Sequence, residues 1–237
     1  MKKIICISFI ITGILLLHNC MIGCVVPSTK ISTEARSVPE FNGVSLQING
    51  TVTLHSGNPA PLTIRTNDNI LPHLRTEVIG KSLVIRFDKC ISGSPTIEID
   101  ATLPDLQLLE ISGSGKIIGV DTFYGNEMAF RISGSGDIIA RIDGGNVESR
   151  ISSSGSITLS GQVDSQNITI SGSGYLNGID LISSGASVVI SGSGTCKLDV
   201  SRKLVTRISG SGDVVYKGAP EVKSSISGSG NVRALPN

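Results

Sequence analysis

Large aromatic side chains are nearly absent from this sequence. Its 237 residues include no Trp, three Tyr and five Phe, so aromatics make up only 3%. Charge is sparse too, with 20 Lys plus Arg against 19 Asp plus Glu and a net charge of +1. A near-neutral chain lacks the basic surface that nucleic-acid binding requires, which argues against a nucleic-acid partner. A core that is short of large rings has to be thin and built from small and branched residues.

Only one long hydrophobic run is present, at residues 4–17, directly after Lys2 and Lys3. A run of this length is too short to cross a bilayer as a permanent helix, which takes about 20 residues. A basic start followed by such a stretch is typical of a signal peptide that is removed on export. We therefore predict a signal peptide at residues 1–23 and exclude it from the fold.

The cysteines that follow the apolar run indicate lipid attachment. Met21-Ile22-Gly23-Cys24 resembles the bacterial lipoprotein signal, in which a small residue precedes the Cys that receives the lipid. Leu17-His18-Asn19-Cys20 has a suitable Leu, but bulky polar residues stand before its Cys. We predict lipidation at Cys24, with Cys20 as the alternative. The protein is then anchored in the cell envelope, at the outer membrane, in a leaflet that the sequence leaves open.

Residues 24–36 show no periodic apolar pattern, which predicts a short tether. The domain then covers residues 37–237. Its first part, residues 37–108, alternates apolar and polar residues between breakers such as Asn49-Gly50, which predicts irregular strands and one short helical turn within residues 68–77. This part is expected to cap the coils formed by residues 109–237.

The sequence from residue 109 onward repeats one pentapeptide, Ile-Ser-Gly-Ser-Gly, with a single departure at Ser153. The copies begin at Ile111, Ile132, Ile151, Ile170, Ile190, Ile208 and Ile226, which is a period of about 19 residues. The residue six positions after each Ile is always apolar, and the stretches between copies alternate, as strands do. A unit of this size cannot bury its own apolar face and has to stack on its neighbours.

A period of about 19 residues favours a β-helix over other repeat folds. Strand residues advance about 3.3 Å each, so one unit spans roughly 60 Å, the perimeter of one three-sided coil. Propeller blades and helical repeats need about 33–50 residues per unit. The sequence therefore predicts an all-β fold, a right-handed parallel β-helix of about seven coils behind an irregular β cap.

Each column of the repeat has an expected place in the coil. The Ile column points inward, and the last Gly of each pentapeptide marks a corner where a Cβ would meet a neighbouring backbone or where φ is positive. The Ser columns alternate with these positions and should cover a flat outer strip. This putative surface ladder consists of Ser112, Ser114, Ser133, Ser135, Ser152, Ser154, Ser171, Ser173, Ser191, Ser193, Ser209, Ser211, Ser227 and Ser229.

The motifs together resemble a known family. Leu103-Pro104-Asp105-Leu106, the Ser-Gly-Ser-Gly repeats and Val214-Val215-Tyr216-Lys217-Gly218-Ala219-Pro220 are similar to the putative auto-transporter adhesin, head GIN domain family. The resemblance covers about residues 41–232. It implies an exported bacterial β-helix domain, common on lipoproteins, and it supplies no catalytic residues.

Three site chemistries were weighed on the repeat. A β-helix polysaccharide enzyme needs clustered carboxylates, but Asp137 and Asp213 lie four coils apart, so no catalytic residues are assigned. The same two residues are too sparse for the nine-residue Ca²⁺ repeat, and no metal or other cofactor is predicted. The aligned Ser hydroxyls could bind a glycan or a protein, or they could simply be solvated.

The remaining cysteines have separate predictions. Cys196 occupies an apolar position of the repeat and is expected to be a buried hydrophobe. A Cys90–Cys196 disulfide was left as an open possibility. The function predicted overall is that of a non-catalytic cell-envelope lipoprotein, an adhesin or protein–protein assembly module, with self-association or an envelope protein as its partner. The alternatives are a carbohydrate-active β-helix enzyme and a glycan-binding protein.

Overall fold

The structure, a computed structural model, describes residues 23–235 and is almost entirely β. The strands of the N-terminal part are β1 (Ile31–Arg36), β2 (Gly43–Leu46), β3 (Thr51–Ser56), β4 (Leu62–Asn67), β5 (Leu74–Ile79), β6 (Ser82–Phe87), β7 (Ile97–Leu103) and β8 (Leu108–Ile111). The strands of the repeat are β9 (Lys116–Ile132), β10 (Asp137–Ile151), β11 (Ser156–Ile170), β12 (Tyr175–Gly192), β13 (Thr195–Gly210), β14 (Asp213–Lys217), β15 (Glu221–Gly228) and β16 (Asn231–Ala234). The predicted helical turn is a 3-10 turn at Leu71–His73.

The repeat strands stack in parallel, each on the one before it, and the predicted β-helix of about seven coils is confirmed. Ile151 pairs with Ile132 on one side and with Ile170 on the other, and the same register continues to Ile190 and Ile208. Equivalent residues therefore stack directly above one another. The repeat seen in the sequence is the ladder of the solenoid.

The apolar columns form the core, as their alternation predicts. The Ile that opens each pentapeptide is at most 1% exposed from Ile111 to Ile208. The column six residues later is fully buried from Ile117 to Val214, and it includes Cys196 as a free, buried thiol. Only two large rings, Phe123 and Phe130, are fully buried, which fits a thin core.

The last Gly of each pentapeptide leaves no room for a side chain. A Cβ on Gly194 would lie 2.5 Å from Cγ2 of Ile170 and 2.9 Å from the carbonyl oxygen of Gly174. These glycines do not have positive φ, so close packing is their reason, and of the two reasons weighed for this column only close approach applies. Positive φ occurs instead at the first Gly of later copies, as at Gly210 with φ +123°.

The N-terminal part caps the coils and also contributes one that the repeat does not reveal. Leu46 of β2 pairs with Ile111, and Val52 of β3 pairs with Ile117, so Leu46 to Gly50 lies where a pentapeptide would lie. Beyond this coil, β4 pairs with β7 and β5 pairs with β6, both antiparallel. These antiparallel strands close the end of the solenoid.

The prediction of a tether at residues 24–36 is wrong. Strand β1 pairs antiparallel with β4 along its whole length, and Val25 forms a parallel bridge with Ile91. Asn67, which is 7% exposed, donates from Nδ2 to the carbonyl of Ser28 at 2.6 Å. The segment contains few apolar residues because it covers the edge of a sheet, where backbone hydrogen bonds supply the contacts.

The cysteine pairing also differs from the expectation. Cys24 and Cys90 form a disulfide with a Cα–Cα distance of 4.6 Å, so Cys90 does not pair with Cys196. A sulfur in a disulfide cannot also carry a thioether-linked lipid, so this state of Cys24 excludes the predicted lipid there. The signal peptide and Cys20 lie outside the described residues. Within residues 23–235, no helix has the length and apolarity that crossing a membrane would require.

Candidate functional site

The Ser ladder is fully on the surface, but it runs along a corner. All fourteen Ser side chains are exposed, from Ser112 to Ser229. The pentapeptides of the earlier coils are bends between two long strands, so the hydroxyls form a ridge, and the flat strip that was expected is absent. Backbone amides in this ridge are already used, since Ser133 donates to Ile111 and Ser152 donates to Ile132. The hydroxyls are what remains for a ligand.

The column that follows the pentapeptide carries the two Asp residues that were weighed as catalytic or Ca²⁺ ligands. Asp137 pairs with Lys116 and Ser156, and Asp213 pairs with Thr195 and Asn231. Neither carboxylate has another carboxylate on an adjacent coil. Within residues 23–235, no group of three or more His, Cys, Asp or Glu side chains is arranged to hold a metal ion.

Both histidines of the described chain sit beside carboxylates on the surface. His55 lies 3.7 Å from Asp121 and 3.9 Å from Asp100, with its side chain 45% exposed. His73 lies 3.2 Å from Asp88, which also pairs with Arg75. Desolvation raises the pKa of Asp88, but the hydrogen bonds from Arg75 and His73 outweigh it and the net shift is downward. Such exposed ion pairs are typical of a solvated surface.

The one free thiol is not placed for chemistry either. Cys196 is fully buried between coils, and burial raises its pKa well above the usual range. A buried thiol without a nearby cation stays protonated and inert. Its predicted role as a core hydrophobe is confirmed.

A polar groove runs beside Gln107, which sequence reasoning did not find. It includes a cleft of about 550 Å³ lined by Asp105, Gln107, Tyr124, Gly125, Asn126 and Glu127. Two neighbouring clefts share Gln107 and extend the groove toward Lys81 on one side and Arg131 on the other. The groove is built where β9 passes the loop between β7 and β8. Residues distant in sequence meet there, so no local motif marks it.

Tyr124 is the exposed aromatic ring of this groove. It is 59% exposed, whereas Tyr216 packs against the core. Tyr175 is partly covered by the ammonium of Lys197, which lies 5.6 Å from its ring centroid. Tyr124 therefore offers an uncovered ring face next to amide and carboxylate side chains, the combination that binds ligands with both apolar and hydroxylated faces.

The C-terminal end of the solenoid is a second open surface. Strand β15 pairs only with β13 along one edge, and its other edge has no partner within residues 23–235. Ile226 continues the buried Ile column, yet it is 43% exposed because no coil follows it. Glu221 and Lys223 pair with each other at 3.2 Å, and residues 224–228 carry no charge. An uncharged, unpaired edge is a template for a further strand.

The stacked coils, the buried Ile column and the exposed Ser ridge define a parallel β-solenoid of the kind carried by exported surface proteins. This chain belongs to the family described as "Putative auto-transporter adhesin, head GIN domain", whose sequence profile matches residues 40–220. The predicted family is thereby confirmed, and its description suggests an envelope-associated, non-enzymatic protein. No curated protein matches the sequence.

Solved structures share the fold at low sequence identity. A putative adhesin from Bacteroides fragilis is 20% identical with a TM-score of 0.82, over 89% of this chain and all of that chain. A protein described as a putative lipid binding protein from Parabacteroides distasonis is 24% identical with a TM-score of 0.76, over 90% and 99% of the two chains. A putative adhesin from Parabacteroides merdae is 18% identical with a TM-score of 0.73, over the same shares. At these identities the likeness extends to the fold alone.

Proposed function

We propose that this protein is a non-catalytic, lipid-anchored protein of the cell envelope, at the outer membrane, which acts as an adhesion or assembly module. The observation that carries the proposal is the open last coil. There the core column ends in exposed Ile226, and the edge of β15 has no strand beside it. Adding a strand from another copy or an envelope protein would pair these backbone groups and bury the column.

The absence of clustered carboxylates in the described coils supports a binding role over catalysis. The long parallel ladders support a second aspect of the proposal, because a stack of coils is a stiff spacer. It holds its last coil and its Ser ridge at a set distance from the anchor. Stiffness of this kind serves adhesion, since it avoids the entropy cost of ordering the surface on contact.

Site-specific photo-cross-linking tests the role of the last coil. A photoreactive amino acid is placed at Ser225 of β15 in the full-length protein, expressed in membranes of its own cell type. Asn167, an exposed residue on β11, is the matched control position. We expect an adduct of twice the protein's mass, or of defined larger mass, from position 225 but not from 167. Equal labelling, or none, at the two positions would reject the assembly role.

A second candidate function, glycan binding, is favoured by the groove at Tyr124. A sugar ring can stack its C–H face on the open tyrosine ring while its hydroxyls bond to Gln107, Asn126 and Glu127. The sequence made this candidate weak, because three Tyr and no Trp leave few platforms. The structure puts one of the three where a platform is needed.

A glycan array with paired variants tests this second candidate. Tyr124→Ala should remove binding, and Tyr124→Phe should retain most of it, because stacking needs the ring and not its hydroxyl. Gln107→Ala should weaken binding by roughly tenfold, the loss of about one hydrogen bond to a polar ligand. The exposed Gln162 on β11 provides a control substitution, Gln162→Ala. Binding that survives Tyr124→Ala would show that the groove is not the site.

A further inference from the structure

The disulfide between Cys24 and Cys90 joins the start of the described chain to the domain. Its backbone surroundings are ordered by hydrogen bonds, since Val25 donates to the carbonyl of Cys90 at 2.9 Å and Ser92 donates to that of Val25 at 3.0 Å. These bonds hold the two segments side by side whether or not the sulfurs are joined. The pairing is therefore part of the fold of this end of the molecule.

Lipidation and disulfide formation compete for the same sulfur. In lipid attachment the Cys thiol gives up its proton and forms an S–C bond to a diacylglyceryl group, and the donor phospholipid loses its phosphate headgroup, which leaves with that proton. Cys24 cannot do this while its Sγ is bonded to that of Cys90. The chain carries one other cysteine between the apolar run and the domain, Cys20, three residues after Leu17.

We propose that Cys20 is the lipidated residue and that the Cys24–Cys90 disulfide clamps the N-terminal end of the solenoid against the membrane. This inference rests on the proposed lipid anchor and identifies its residue. Only three residues separate Cys20 from Cys24, so their Cα atoms are at most about 14 Å apart. The lipid cannot be further than this from the clamped segment.

The segment after the disulfide cannot act as a spacer. The amide of Ser28 donates to Oδ1 of Asn69 at 2.9 Å, Nδ2 of Asn69 donates to the carbonyl of Val26 at 2.8 Å, and β1 follows directly. A lipid on Cys24 with residues 24–36 free would let the domain swing away from the bilayer. A lipid on Cys20 with these residues docked holds it close.

The surface beside the disulfide suits a lipid headgroup layer. Val26 is 68% exposed, and Lys30 and Lys89 are exposed at the same end. An apolar side chain flanked by lysines is the pattern of residues that rest in an anionic interface. Because the coils stack away from this end at about 4.8 Å each, the open last coil lies roughly 35 Å from the membrane-facing end.

Intact-mass analysis of the full-length protein, extracted from membranes of a lipoprotein-processing bacterium, tests the residue. We expect a chain that begins at acylated Cys20, with a tryptic peptide of residues 20–30 joined by a disulfide to residues 90–116. Cys20→Ala should abolish acylation, whereas Cys24→Ala and Cys90→Ala should retain it. A lipid on Cys24 with Cys90 free would overturn this inference and leave the lipid anchor standing. Wild-type protein without any lipid would instead reject the anchor itself.

The orientation has a separate test that survives any loss of stability in the cysteine variants. The protein contains no Trp, so a single Trp reports on one place. In vesicles with headgroup-quencher lipids, the lipid-anchored Val26→Trp protein should be quenched strongly, and Ser227→Trp at the far end should not. Similar quenching at both positions would show a free tether and overturn the clamped orientation.

Discussion

At the scale of single residues, the core depends on one side chain per coil in each inward column. Ile170 is fully buried and stacks between Ile151 and Ile190, whereas Ser171, its neighbour in the chain, points to solvent. Adjacent residues thus have opposite surroundings because side chains alternate along a strand. The repeat multiplies this difference over every coil.

The first prediction compares these two neighbours. Ile170→Asp should lower the free energy of unfolding by about 3–5 kcal/mol, because it buries an unpaired carboxyl in the column. Ser171→Ala should change it by less than about 0.5 kcal/mol, as exposed substitutions do. Thermal and denaturant unfolding of both variants measures the difference. Similar losses would mean that the inward and outward faces are assigned wrongly.

The second prediction concerns the tight Gly column. Gly194→Ala should cost about 1–3 kcal/mol, because its Cβ would meet Ile170 and the backbone of Gly174 at less than contact distance. Gly185→Ala is the control, since the nearest atom to a Cβ there lies 3.8 Å away. Its stability should stay within about 0.5 kcal/mol of the wild type. A destabilised Gly185→Ala with a tolerated Gly194→Ala would contradict the packing argument.

At the scale of elements, the N-terminal edge is held by side-chain contacts rather than by a repeat. The hydroxyl of Ser28 donates to Oδ1 of Asp68 at 2.5 Å, and Lys30 lies 3.6 Å from the same carboxylate. The Ser28 hydrogen bond is the main cause of the lowered pKa of Asp68, with Lys30 a smaller contributor. This contact joins the segment before β1 to the loop after β4.

The third prediction follows from the sign of that shift. A carboxyl whose pKa is lowered by folding stabilises the fold above its ordinary pKa, and this contribution is lost as the pH falls through the lowered folded value. Ser28→Ala should therefore raise the pKa of Asp68 in an NMR titration and speed amide exchange in β1 at neutral pH. Ser165→Ala, on the exposed face of β11, should leave both unchanged. An unaltered Asp68 titration in Ser28→Ala would show that the contact does not hold the segment.

At the scale of the whole molecule, the two ends of the solenoid are different. Antiparallel strands and a disulfide close the N-terminal end, whereas the C-terminal end finishes on β15 and β16 with an exposed edge. Repeat solenoids need both ends covered to stay soluble as single copies. The uncovered end is where association with a second copy is expected.

The fourth prediction tests association at this end. The chain from residue 23 to 237, prepared without lipid, should form dimers or larger species in light scattering at high concentration. Ile226→Lys should return it to a monomer by placing a charge on the edge. Val120→Lys, at an equally exposed residue elsewhere in the coils, is the control and should leave the association unchanged. A strictly monomeric wild type at every concentration would reject self-association.

The sequence alone determined the solenoid, because a periodic chain repeats the same local choices and stacking does the rest. Seven Ile-x-x-x-Gly copies with an apolar residue two positions further on specify the coil, the inward column and the exposed Ser residues without knowledge of any distant contact. The earlier coil at Leu46–Gly50 kept only the first Ile-like residue and the last Gly of that pattern. With the Ser residues gone, the signal was too short to recognise.

Only the tertiary structure decided the features that depend on residues far apart in the chain. The sulfur atoms of Cys24 and Cys90 are separated by 66 positions, and the walls of the Tyr124 groove come from separate elements. Sequence patterns report the periodic surroundings of a residue, and neither feature is periodic. Docking residues 24–36 against β4 is of the same kind, because an edge strand held by backbone hydrogen bonds needs no particular side chains and so leaves no pattern to read.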